Sequence, residues 1–99
     1  MGPNLIIHSE AQQEFTSAYL WYEEKQIGLG EKFIQQIENV YAFIIENPIA
    51  FAKKKNNTRE ALVNKFPFII IYRYYRLENK IVVLAVFHTS RNPATKRSK

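Results

Sequence analysis

The feature that most limits what this chain can fold into is the stretch from residue 64 to residue 93, NKFPFIIIYRYYRLENKIVVLAVFHTSRNP. Two runs rich in Ile, Val, Tyr and Phe flank the polar segment Leu77-Glu78-Asn79-Lys80, the pattern of two strands joined by a turn. Pro67 restarts the chain, so residues 68–76 and 81–88 are read as an antiparallel pair, and residues 58–64 add a third strand to make a meander. The last strand is apolar at successive positions rather than alternate ones, which places it centrally, covered in part on both faces.

Upstream the period changes. Leu5-Ile6-Ile7 is a short apolar run ending at His8, and Ser9 and Gln12 have the Ser-x-x-Gln spacing of a capping box, so a strand hands over to a helix. Ala11, Phe15, Ala18 and Tyr22 then fall on one helical face, with Glu23 and Glu24 read as solvated carboxylates at its end. Gly28 and Gly30 bracket Leu29, and glycine tolerates the left-handed conformation that closes a helix. A second stripe follows in Leu29, Phe33, Ile37, Val40 and Ile44, widened by Ile34, Tyr41 and Ile45, until Asn47-Pro48 stops it. The expectation is an α+β domain of order β-α-α-β-β-β, a helical hairpin on one face of a small, mainly antiparallel sheet. Ninety-nine residues support one such domain, spanning residues 1–99, with residues 92–99 as a flexible basic tail.

Composition narrows the function. There is no Cys and there are only two His, far apart, so neither a disulfide nor a thiolate metal site is expected, nor any cofactor. No apolar stretch approaches the roughly 18 residues of a membrane span, and no signal peptide precedes the first strand, which points to a cytoplasmic protein. The net charge of +5 suggests an acidic partner. Lys53, Lys54, Lys55 and Arg59 form one basic cluster, and Arg91, Lys96, Arg97 and Lys99 form another.

Four segments in order, WYEEKQIGLGEKFIQQIE, IIENPIAF, FPFIIIY and AVFHTSRNP, resemble the RelE/ParE superfamily of bacterial toxins from type II toxin-antitoxin modules, also called plasmid stabilisation proteins. The resemblance covers nearly the whole chain. It implies a small growth-arresting toxin held inactive by a cognate antitoxin, expected here to be acidic. RelE-like members cut messenger RNA on the ribosome, whereas ParE-like members lack the nuclease residues and poison DNA gyrase. In the RelE-like branch, lysines on the second strand and arginines on the third strand and after the fourth surround the scissile phosphate. Aligned on Tyr72 and the turn into Ile81, Glu60 and Leu62 stand where those lysines would be and Ile69 stands for the first arginine, so only Arg91 matches. A phosphoryl-transfer site needs several cations aimed at one point, and a carboxylate at Glu60 opposes that field. The resemblance is therefore closer to the ParE-like branch.

Two uses of the polar segment after the last strand follow. In the first, the toxin acts by binding, and Lys53, Lys54, Lys55, Arg59, Arg73, Arg91, Lys96 and Arg97 contact the target or the antitoxin. In the second, His88 and Arg91 are catalytic in a ribosome-dependent endoribonuclease, with Glu60 as base and Arg73 or Arg59 on phosphate. A plain interaction module is the third reading. Tyr72, Tyr74 and Tyr75 are read as core packing before base stacking.

Overall fold

The arrangement of strands explains why the last one is so apolar. The structure, a computed structural model, describes residues 2–90 and contains β1 (Asn4–Ile7), α1 (Ser9–Lys25), α2 (Leu29–Glu46), β2 (Thr58–Leu62), β3 (Phe68–Tyr75) and β4 (Lys80–His88). These form one sheet of order β1-β4-β3-β2, with β4 between β1 and β3. The expected meander is present, since β2 pairs antiparallel with β3 and β3 with β4, while β1 adds a parallel edge to β4. The helical hairpin covers one face, as the two apolar stripes require.

The register of β3 and β4 contains one irregularity. Ile71 pairs with Ala85 but Tyr72 pairs with Val83, so Leu84 is an extra residue in β4. A bulge of this kind reverses which face the following side chains occupy. Before it, Ile81 and Val83 point into the core; after it, Val86 does. Two inward sets of opposite parity, joined at the bulge, are what make the run look apolar throughout.

On the covered face Phe68, Ile70 and Tyr72 of β3 meet Phe33, Ile37 and Ile44 of α2 and Ala11, Ala18 and Tyr22 of α1, all buried. Four rings interlock there: Phe33 lies 5.3 Å from both Tyr22 and Phe66 and 5.1 Å from Phe68. Burying a Phe or Ile side chain contributes roughly 1.5–3 kcal/mol, so this cluster carries most of what holds the hairpin to the sheet.

Both helix starts differ from the sequence expectation. Ser9 is the first residue of α1 rather than its cap; His8 is the cap, its side chain accepting from the Glu10 N–H at 3.4 Å. Gly28 has φ +92°, but it opens α2 rather than closing α1. Its partner is Glu23, which is not a solvated carboxylate: one oxygen accepts from the Gly28 N–H and the other from the Gly30 N–H, each at 2.9 Å. A carboxylate from the end of one helix thus satisfies the unpaired N–H groups that begin the next. Gly30 makes room for it, because a Cβ there would stand 2.8 Å from both Glu23 Oε1 and the Tyr19 ring. At the other end, α2 stops at Glu46 and the Asn47 cap precedes Pro48, as expected.

Candidate functional site

His88 is the one candidate whose role depends on which face of the sheet it occupies. It pairs directly with Phe68 across β3 and β4, and the two rings meet edge to face with centroids 4.9 Å apart. Phe68 belongs to the core beneath the helices, so His88 stands on the helix-covered side. Its Nδ1 accepts from the Ser90 N–H at 3.1 Å. Without the extra residue at Leu84, His88 would share a face with Val82 instead.

Two further catalytic candidates, Glu60 and Arg73, lie on the open face. Glu60 pairs with Ile71, and Arg73 pairs with Thr58 on one side and Val82 on the other. They border a hollow of about 730 Å³ whose floor is Ile71, Ala85 and Phe87. Lys54 and Lys55 join Arg73 at one wall, and Glu10 and Glu14 come from α1 at another. The hollow therefore carries both signs of charge. Ile6 and Leu62, 45% and 76% exposed, extend apolar surface along the outer strands.

Glu14 has a structural task as well. β1 ends at Ile7, and beyond the hydrogen bond from His8 N–H to the Val83 carbonyl no strand among the described residues lies beside the edge of β4. Glu14 Oε1 reaches down from α1 and accepts from the Val86 N–H at 2.8 Å. Val86 is buried, and a buried N–H without an acceptor costs about 1–3 kcal/mol.

The basic cluster of residues 53–59 is divided between two places. Its backbone makes a tight return in which Asn56 and Asn57 have φ of +58° and +61°, and Thr58 Oγ1 donates to the Lys55 carbonyl at 2.8 Å. Lys54 and Lys55 face the open-face hollow, while Lys53 and Arg59 border a second hollow of about 600 Å³. Arg73 forms part of both and donates through Nε to the Asn56 carbonyl at 2.9 Å. Arg59 is anchored by an Nη1 hydrogen bond to the Phe51 carbonyl at 2.6 Å. Arg91, Lys96 and Arg97 lie outside the described residues.

Of the tyrosines, Tyr72 is fully buried and its hydroxyl donates to the Pro48 carbonyl at 3.0 Å, so it packs and tethers the loop after α2. Burial raises its pKa above the ordinary phenol value, and the nearby Arg59 charge lowers it in part. Burial alone pushes Tyr41 up to about 12. Both are neutral packing groups near neutral pH. Among the described residues no three His, Cys, Asp or Glu side chains form a metal-binding group, and no helix is long and apolar enough to cross a membrane.

Sequence reasoning therefore found the open-face residues Glu60 and Arg73 but put His88 with them, and it missed His8, Glu10, Glu14 and Arg76. Glu10 and Glu14 stand four apart in α1, on one helical face, and that spacing was the available signal. Nothing local marks the bulge that turns His88 away.

The fold is shared with known toxins. The chain superposes on a free-state structure of the E. coli toxin RelE, an arginine-to-alanine double mutant, with a TM-score of 0.69 at 14% identity, covering 97% of this chain and 93% of that one. It also matches a chain of the chromosomal ParDE toxin-antitoxin system from P. aeruginosa with a TM-score of 0.63 at 15% identity, covering 87% and 95% respectively. No curated protein is a significant match to the sequence. The family described as the ParE toxin of the type II toxin-antitoxin system parDE matches residues 5–93, and the chain accordingly belongs to the ParE toxin family.

Proposed function

We propose that this toxin arrests growth by binding its target, with DNA gyrase as that target, rather than by cleaving RNA. A type II toxin has an antitoxin partner, and the open face of the sheet, apolar at Ile6 and Leu62 and basic at Lys54, Lys55 and Arg73, is the surface on which an antitoxin segment would lie. The observation that carries the reading is the placement of His88 over Phe68 on the covered face while Glu60 and Arg73 border a hollow on the other. General acid-base chemistry at a phosphodiester requires its groups within hydrogen-bond reach of one substrate, which opposite faces of a sheet do not allow. Glu60 on the open face also disfavours a scissile phosphate there.

The test is a supercoiling assay with purified gyrase and relaxed plasmid. Inhibition, with accumulation of linear DNA after protein digestion, is the expected result, and addition of the antitoxin should restore supercoiling. Unimpaired supercoiling at a large molar excess of toxin would reject gyrase as the target.

A further inference from the structure

The second hollow lies at the opposite end of β3 from the β3–β4 pairing that holds His88, where Tyr74, Tyr75 and Arg76 run past the point at which β2 begins. Its walls bring together Lys53, Arg59, Arg73 and Arg76. None of its described lining residues is a carboxylate, in contrast to the open-face hollow, which Glu10, Glu14 and Glu60 border. Four cations with no anion among the described lining residues repel one another, and an anionic ligand would relieve that repulsion.

The geometry fits a phosphate chain better than a dispersed acidic surface. Arg59 and Arg73 each use one donor on a backbone carbonyl, of Phe51 and Asn56 respectively, which fixes the planar forks while leaving other N–H groups available. Fixed guanidinium forks match phosphate oxygens in pairs. Beside them the Tyr74 and Tyr75 rings and Ile49 supply flat and apolar surface, and Lys80 Nζ stands 5.2 Å from the Tyr75 ring centre, adding positive charge to the same corner. The volume of about 600 Å³ falls inside the roughly 300–1,000 Å³ typical of sites for single small ligands.

We propose that this hollow is a binding site for a free nucleoside polyphosphate, its phosphates held by Arg73, Arg76 and Lys53 and its base against Tyr75. The site shares Arg73 with the open face assigned to the antitoxin but extends beyond it to Lys53, Tyr75 and Arg76, and it can be tested whether or not gyrase is the target.

The experiment is calorimetric titration of the purified full-length toxin with ATP, inorganic pyrophosphate and a 12-nucleotide RNA at fixed salt. Lys53 and Arg76 are exposed, so a Lys53→Gln/Arg76→Gln variant should keep its fold, checked by thermal unfolding. ATP is expected to bind the wild type and to weaken at least about tenfold in that variant. Lys54→Gln/Lys55→Gln, which removes the same charge from the other hollow, should change ATP binding less than about threefold. Tyr75→Ala should weaken ATP but leave pyrophosphate unchanged. Equal losses in the two double variants would overturn the site by reducing it to general charge attraction. RNA binding tenfold tighter than ATP and lost in the Lys53→Gln/Arg76→Gln variant would overturn the free nucleotide as ligand.

Discussion

His88 sits directly across the strand pair from Phe68, its ring edge-on at 4.9 Å, and both occupy the side of the sheet that the helices cover. The pairing ties a candidate catalytic imidazole to the hydrophobic core. It follows that His88→Phe should leave the fold intact, with a change in stability below about 1.5 kcal/mol, the range of tolerated replacements of similar volume. Phe68→Ala should cost about 3–5 kcal/mol by opening a cavity beneath Tyr22 and Phe33. Urea denaturation of the two variants measures both.

The extra residue at Leu84 makes a prediction of its own. In an unbroken strand Val82 and Val86 would share a face; here Val86 is buried in the core and Val82 is only half-buried on the open side. Val86→Thr should therefore cost about 1–3 kcal/mol through a buried hydroxyl, and Val82→Thr less than about 0.5 kcal/mol. Equal costs at the two positions would show that the strand is not bulged.

That bulge also marks the limit of what the sequence discloses. Strand and helix identities were legible because Phe68, Ile70 and Tyr72 repeat with period two, and Phe33, Ile37 and Ile44 with a helical period. Glu60 and Arg73 could be singled out from the sequence, but the face they take was left open there; the β2–β3 register and the burial of Phe68, Ile70 and Tyr72 place them on the uncovered side. His88 was not legible, because one uncompensated residue between Val83 and Ala85 inverts every later side chain while leaving the apolar pattern unchanged. Glu23 was misread for a related reason. Its acceptors' partners, Gly28 and Gly30, lie across a turn, and a helix-end carboxylate looks alike in sequence whether solvated or clamped.

The Glu23 clamp should be measurable. Glu23→Ala removes acceptors from two N–H groups at the start of α2 and should cost about 1–2 kcal/mol, within the range for lost helix caps. Glu23→Gln keeps one oxygen acceptor and should cost less. Thermal unfolding of both variants at neutral pH gives the comparison.

Glu14 offers a local readout. With Glu14→Ala the Val86 N–H loses its acceptor beyond the end of β1. Amide hydrogen exchange at Val86 should accelerate in that variant by at least about tenfold, while exchange at Val83, deeper in the same strand, should change little.

Alkaline pH tests the buried phenols. Tyr41 ionises near 12 in the folded chain against 10.0 when unfolded, since burial disfavours the phenolate. A raised pKa leaves stability intact below about pH 10 and removes it as pH climbs from about 10 through about 12, because the unfolded chain loses its proton first. Tyr41→Phe should flatten part of that decline, seen as a smaller fall in unfolding midpoint temperature from pH 8 to pH 11 than in the wild type.

The most direct test of the central claim, that the sheet separates His88 from Glu60 and Arg73, is primer extension on messenger RNA translated by purified ribosomes in the presence of the toxin. The account predicts full-length transcripts and unchanged growth arrest by His88→Ala in cells. Codon-specific cuts that disappear in His88→Ala would contradict it.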